Sequence, residues 1–145
     1  MIDRRSIGYP ARILWVALLG WACGILWLSS LTPQQLPDAA FLVSDKINHF
    51  IAFAIGGLLA ASALRLSRPQ AAVAGQLVIA VVMIAAFGAL DETLQTLTPG
   101  RAGRDIYDWI ADSLGALVGA LSSLPMHHRL ERRSSERARR AHTGQ

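Results

Sequence analysis

Cysteine is nearly absent from this chain: Cys23 is the only one in 145 residues. A lone cysteine forms no intrachain disulfide and matches no cysteine-based metal pattern. In the middle of an apolar stretch it reads as a small packing residue. Charge is absent from long runs. Ile13 to Leu31 carries none, Ile47 to Leu64 carries only His49 near its start, Gln70 to Leu90 carries none, and Trp109 to Met126 carries one acid, Asp112. These gaps exclude an ordinary soluble domain, whose apolar positions recur among polar ones. Internal repeats and a separate soluble domain are lacking as well.

What is present is 52% hydrophobic residues gathered into those four blocks. Each is long enough, at about 1.5 Å rise per residue, to cross a hydrocarbon core of about 30 Å. Backbone groups in lipid must pair within their own segment, so the blocks are expected to be helices. The expected fold is all-α: an integral membrane bundle of four transmembrane helices, over about 12–31, 45–65, 70–97 and 105–124. Arg4, Arg5 and Arg12 precede the first block, as in a signal peptide. The block is longer than a usual signal core and no small-residue cleavage site follows, so it reads as a retained helix. Residues 1–126 then form the membrane domain. Residues 127–145, with six arginines against two acids, read as a basic, disordered tail that touches anionic lipid heads.

Charge sets the expected orientation. With four spans, both termini share a side. That side carries eleven basic residues (Arg4, Arg5, Arg12, Arg65, Arg68, Arg129, Arg132, Arg133, Arg137, Arg139 and Arg140) and the opposite side three (Lys46, Arg101 and Arg104). Basic loops stay in the cytoplasm, so the termini are expected inside, in the cytoplasmic membrane. Trp15, Trp27, Tyr107 and Trp109 suit an interfacial aromatic belt. Pro33 and Pro37 follow helix 1, Ser67-Arg68-Pro69 turns between helices 2 and 3, Thr98-Pro99-Gly100 turns between helices 3 and 4, and Pro125 ends helix 4.

Six of the ten acids fall at the outer ends of these helices: Asp45, Asp91, Glu92, Asp105, Asp108 and Asp112. Asp45 and His49 are four apart and share a helix face; so do Asp91, Glu92 and Gln95. Asp105, Asp108 and Asp112 form one stripe, continued by Gly115 and Gly119, whose spacing allows close helix approach. Gly56 and Gly57 are the candidates to face it. Several of these residues have plain explanations. Asp105, Asp108 and Asp45 can cap helix starts, His49 can sit in a polar rim, and Arg104 reads as a solvated loop charge. Asp91 and Glu92 do not fit that account, because they close a helix where its dipole disfavours anions. They need compensation, and Arg101, Lys46, His49, a metal ion or a shared proton are the candidates to supply it. Asp112, roughly 10 Å into helix 4, reads as functional by depth.

Order and spacing of short motifs add a resemblance. Asp45-Lys46-Ile47-Asn48-His49-Phe50, then Asp91-Glu92-Thr93-Leu94-Gln95, then Pro99-Gly100-Arg101, then Asp108 to Gly119, resemble the pattern of the VanZ-like membrane proteins over about residues 12–122. The family's usual asparagine falls on Asp112 here. The resemblance implies a site at the outer face of the membrane and an envelope theme. The family's founding member is associated with low-level resistance to teicoplanin, a glycopeptide. The expected ligand-binding set is Asp45, Lys46, His49, Asp91, Glu92, Gln95, Arg101, Asp108 and Asp112. Within it, His49, Glu92, Asp108 and Asp112 are the candidates for proton transfer. The expected partners are membrane lipid and an envelope-lipid headgroup or glycopeptide. A homo-oligomer is compatible, and nothing points to nucleic acid.

Three function classes stay open on the sequence. They are an envelope protein that binds or acts on its ligand, a structural or partner-binding membrane protein, and a small proton-coupled transporter. Against the last, the inner half has no matching polar residues. Hard carboxylates with His49 are chemically compatible with a divalent ion. No strict ligand spacing is present, so no metal and no cofactor is assigned. No serine near His49 makes a nucleophile motif.

Overall fold

In a computed structural model the protein is all-helical. It describes residues 4–101, 103–125, 128, 132, 135 and 136. Apart from those last four positions, the expected tail over 127–145 lies outside the described residues. Among the described residues four α-helices alternate in direction along the chain: α1 Arg4–Ser29, α2 Asp45–Ser67, α3 Val73–Gln95 and α4 Ile106–Ser122. Two short 3-10 turns, Pro33–Gln35 and Asp38–Phe41, fill the connection between α1 and α2. The stretch Tyr9–Ser29 of α1, and likewise α2 and α3, is long and apolar enough to span a bilayer. With 17 residues, α4 stands at the short end of spanning length.

The helix ends differ from the expected spans by one to eight residues, and only the start of α2 coincides. α1 begins well before residue 12 and runs through Pro10, which forfeits its own backbone bond without ending the helix. α3 closes at Gln95, its last carbonyls taken by Thr96, Leu97 and Thr98 in tighter turns. α4 closes at Ser122, ahead of Pro125; the amide and hydroxyl of Ser123 both return to Ala120 O.

The core is made of small residues. Ala60, Ala61, Ala63, Ala80, Ala116 and Ala120 are buried, with Phe53, Ile84 and the partly buried Trp21 and Phe87 as the main large side chains. Leu19, Ile51, Ile55, Val78, Val82, Leu114, Val118 and Leu121 point outward. A water-soluble bundle would reverse this order; lipid solvates the branched side chains, and packing selects small ones inside. Cys23 is on the outward face too, so it is not the packing residue expected. Trp27 and Tyr107 are exposed at the same end of the bundle, as a belt requires. Trp15 and Trp109 also make internal contacts, donating to Ser67 Oγ at 3.0 Å and Ala85 O at 2.9 Å.

α2 is central and packs on all three other helices, most extensively on α4. The glycine stripe explains why. A Cβ at Gly115 would collide with the Phe50 carbonyl of α2, one at Gly119 with the Ala54 carbonyl, and one at Gly57 with the Ala116 carbonyl of α4. Gly57 therefore meets α4 as expected, but Gly56 lies against the indole of Trp21 in α1. Contact this close brings the charged starts of α2 and α4 side by side.

Candidate functional site

Ser44 is the N-cap residue of α2, which puts Asp45, Lys46 and His49 in its first turns. Asp105 caps α4, its carboxylate accepting from Tyr107 N at 2.8 Å. Lys46 Nζ bridges the two helices, donating to Asp108 Oδ1 at 2.9 Å and Asp105 Oδ2 at 3.3 Å. One turn deeper, His49 Nδ1 lies 2.9 Å from Asp112 Oδ1. Asp112 is 0% exposed and His49 9%. With Asp112 ionised, its carboxylate only accepts; Nδ1 then carries the proton, and Nε2 points the other way. Nε2 stands 3.9 Å from Asp45 Oδ1. Phe53 stacks on the imidazole from below, with ring planes 13° apart.

The third wall is the end of α3, where Asp91 is 1% and Glu92 4% exposed. Gln95 Nε2 spans both acids, reaching Asp91 Oδ2 at 3.0 Å and Glu92 Oε1 at 3.4 Å. The other Glu92 oxygen accepts from the Asp105 amide at 2.8 Å, and the Glu92 carbonyl accepts from the Arg104 amide at 3.0 Å. Left-handed turns at Gly100, Gly103 and Arg104 fold the loop back to make these bonds. A Cβ at Gly103 would strike the backbone of Thr96.

This corrects one expectation. Among the described residues no ion pair joins Arg101 to Asp91 or Glu92. The loop presents the Asp105 amide to the Glu92 carboxylate, and Gln95 Nε2 donates to both acids from the same helix. Those short bonds engage both Glu92 oxygens and one oxygen of Asp91 without a long side chain. Arg101 instead lines a neighbouring cleft of about 340 Å³. Asp45, Glu92, Gln95 and Asp108 share its polar wall; Pro33, Leu36, Ala40, Phe41 and Val43 form an apolar one. The Arg101 Nε is buried and has no hydrogen-bond partner.

The expected residues thus divide. Asp45, Glu92, Gln95, Arg101 and Asp108 line the cleft. Lys46 and His49 touch its acids from the side. Asp91 and Asp112 lie behind, in the bundle interior, each with one oxygen that no hydrogen bond reaches. Two elements were not foreseen. Gly88 faces Asp112, where a Cβ would crowd the carboxylate. Its signal was present in the buried row Gln76, Ala80, Ile84, Gly88 and Glu92, spaced by four along α3. The apolar wall comes from the connection between α1 and α2, for which local pattern carries no signal. The half away from this site also differs from expectation: Ser62, Gln76 and Ser123 are buried there. None is titratable.

The amide of Tyr107, and after it the Lys46 ammonium, hold the Asp105 carboxyl below its usual value of 3.8. Its folded value is the lower one. The contribution to stability is therefore full above the unfolded value and is lost as pH falls through the folded one. Asp105→Ala is expected to lower the thermal midpoint at neutral pH and to flatten its decline below about pH 4. An unchanged acid limb would count against this role for the cap.

A helical membrane bundle with a charged network and a half-apolar cleft at one end is the class that fold and site define. The family model VanZ/LLP1 matches residues 14–126, most of the chain. The protein belongs to the VanZ/LLP1 family. No curated protein and no solved structure matches it.

Proposed function

We propose that the protein lies in the cytoplasmic membrane with this cleft outward, and that the cleft receives the anionic headgroup of an envelope lipid. The observation that carries the reading is Arg101, a cleft cation whose Nε has no partner, facing an apolar wall. Of the acids beside it, Glu92 is engaged by Gln95 and the Asp105 amide and Asp108 by Lys46, while Asp45 is largely exposed. A guanidinium left over in such a place suits a phosphate or carboxylate, which it can meet with two parallel bonds. Phe41, Leu42, Val43 and Leu97 are exposed apolar residues at the same end. They fit a rim at headgroup depth, where acyl chains meet polar groups. The excess of basic residues on the opposite side supports the orientation.

The test is binding of a short-chain anionic phospholipid to the purified protein in a zwitterionic detergent without added metal. Arg101→Ala is expected to weaken it at least about tenfold, the loss of one or two charge-assisted bonds. Undiminished binding by a well-folded Arg101→Ala protein overturns the reading. A glycopeptide is the second ligand class, on the strength of the family. Cells carrying Arg101→Ala at normal abundance are then expected to change in teicoplanin susceptibility.

A structural role is the competing reading, favoured by the internal partners that most of the acids have. It predicts that Glu92→Gln, Arg101→Ala and His49→Ala all reduce abundance together. Transport is disfavoured, because Phe53, Ile84, Ala116 and Ala120 close the interior below His49 without a titratable side chain.

A further inference from the structure

We propose that Asp45, His49 and Asp108 form a divalent-cation site of the zinc or manganese class, with Asp112 as the positioning residue behind the imidazole. One ligand atom from each of the three lies within 4.8 Å of the other two. Two carboxylate oxygens and one imidazole nitrogen are a donor set for such an ion, and they balance its charge.

Independent of the acids, the imidazole itself points to a ligand. His49 is buried, its Nδ1 is engaged by Asp112 at 2.9 Å, and Nε2 makes no hydrogen bond. Metal-bound histidines are held in this way: a carboxylate fixes the tautomer and turns the other nitrogen to the ion. Asp112 is fully buried and Phe53 stacks on the ring, so the nitrogen is held in place. Asp108 gives one oxygen to Lys46 and keeps the second.

Donors around one ion at about 2.1 Å stand roughly 3–3.5 Å apart, so the three must close on it. Asp45 can move: its side chain is 66% exposed, and its tie to His49 is 3.9 Å long. Asp45 and Asp108 also line the cleft, so the open coordination positions face that space. An ion there would add positive charge beside Arg101. The proposal does not depend on the headgroup reading, since the ion alone is the probe.

The experiment uses the full chain in detergent, stripped with chelator and titrated with Mn²⁺ while the signal of the free ion is followed by electron paramagnetic resonance. One Mn²⁺ per chain is expected to leave solution, and Zn²⁺ to displace it, since zinc binds such sites more tightly. Asp45→Asn, an exposed substitution that spares the fold, is expected to weaken binding at least about tenfold. Asp112→Asn keeps an acceptor for Nδ1 and is expected to retain most of the affinity, whereas Asp112→Leu loses about 10–100-fold. Replacing His127 and His128 with alanine is expected to change nothing. The proposal is overturned by any of three results: no saturable uptake, uptake indifferent to Asp45→Asn, or uptake that disappears with the tail histidines. Lipid binding that fails while metal binding holds sinks only the headgroup reading, and the converse sinks only this one.

Discussion

Replacing His49 with alanine is expected to cost the folded bundle about 3–5 kcal/mol, the range for removing one partner of a buried ion pair. Asp112 has no exposed surface, and only one of its oxygens has a hydrogen bond, the one to His49 Nδ1. Without the imidazole the carboxylate would be left beside Gly88, near Phe53, with no exposure to water. Removing both groups is a smaller injury. His49→Leu with Asp112→Leu leaves no orphaned charge, and its cost is expected to fall well below the sum of the single changes. The measurement is a double-mutant cycle on denaturant or heat stability in detergent. Additive single and double variants would show that the two residues are not coupled, whatever their separation.

The second large effect is expected at the crossing of α2 and α4. Gly115→Ala and Gly119→Ala each place a methyl group against a backbone carbonyl of α2, at Phe50 and Ala54. A backbone cannot swing aside as a side chain can, so the helices must separate. Overpacking of this kind costs about 1–3 kcal/mol per site, and more for larger residues. Gly119→Leu is therefore expected to abolish the folded bundle. It should also move Asp108 and Asp112 away from Lys46 and His49, since the same contact sets both distances. Gly20, Gly24 and Gly75 have nothing within 4 Å of the point where a methyl group would stand. They serve as controls, expected to tolerate alanine with little change. Equal losses at Gly20 and Gly119 would mean that helix propensity, not the crossing, decides the outcome.

Much of this architecture was legible in the sequence. Uncharged blocks of spanning length leave a helix as the only way to satisfy the backbone in lipid. The stripe of Asp108, Asp112, Gly115 and Gly119 follows from helical period alone, and it does face the bundle interior. Asp105 as a cap was readable from its place just ahead of an apolar run, and its bond to Tyr107 N bears this out. The partners of the acids were less legible. Arg101 was the expected counter-charge to Asp91 and Glu92, because opposite charges close in sequence attract attention first. Gln95 and the Asp105 amide take that place, and whether an amide reaches a carboxylate depends on loop dihedrals at Gly100, Gly103 and Arg104.

Residues far apart in the chain show the division most clearly. Sequence by itself determined that the chain is a helical membrane bundle, that its acids gather at one end, and which helix faces they share. Those properties depend on hydropathy and on a period of about 3.6 residues, both local. Only the tertiary structure decided that His49 pairs with Asp112, that Lys46 joins Asp105 to Asp108, and that Asp45, His49 and Asp108 converge. These pairings require the register of α2 against α4, which is set by glycines resting on carbonyls far away in the chain. Close packing of that kind is a property of two surfaces at once, and no single segment encodes it.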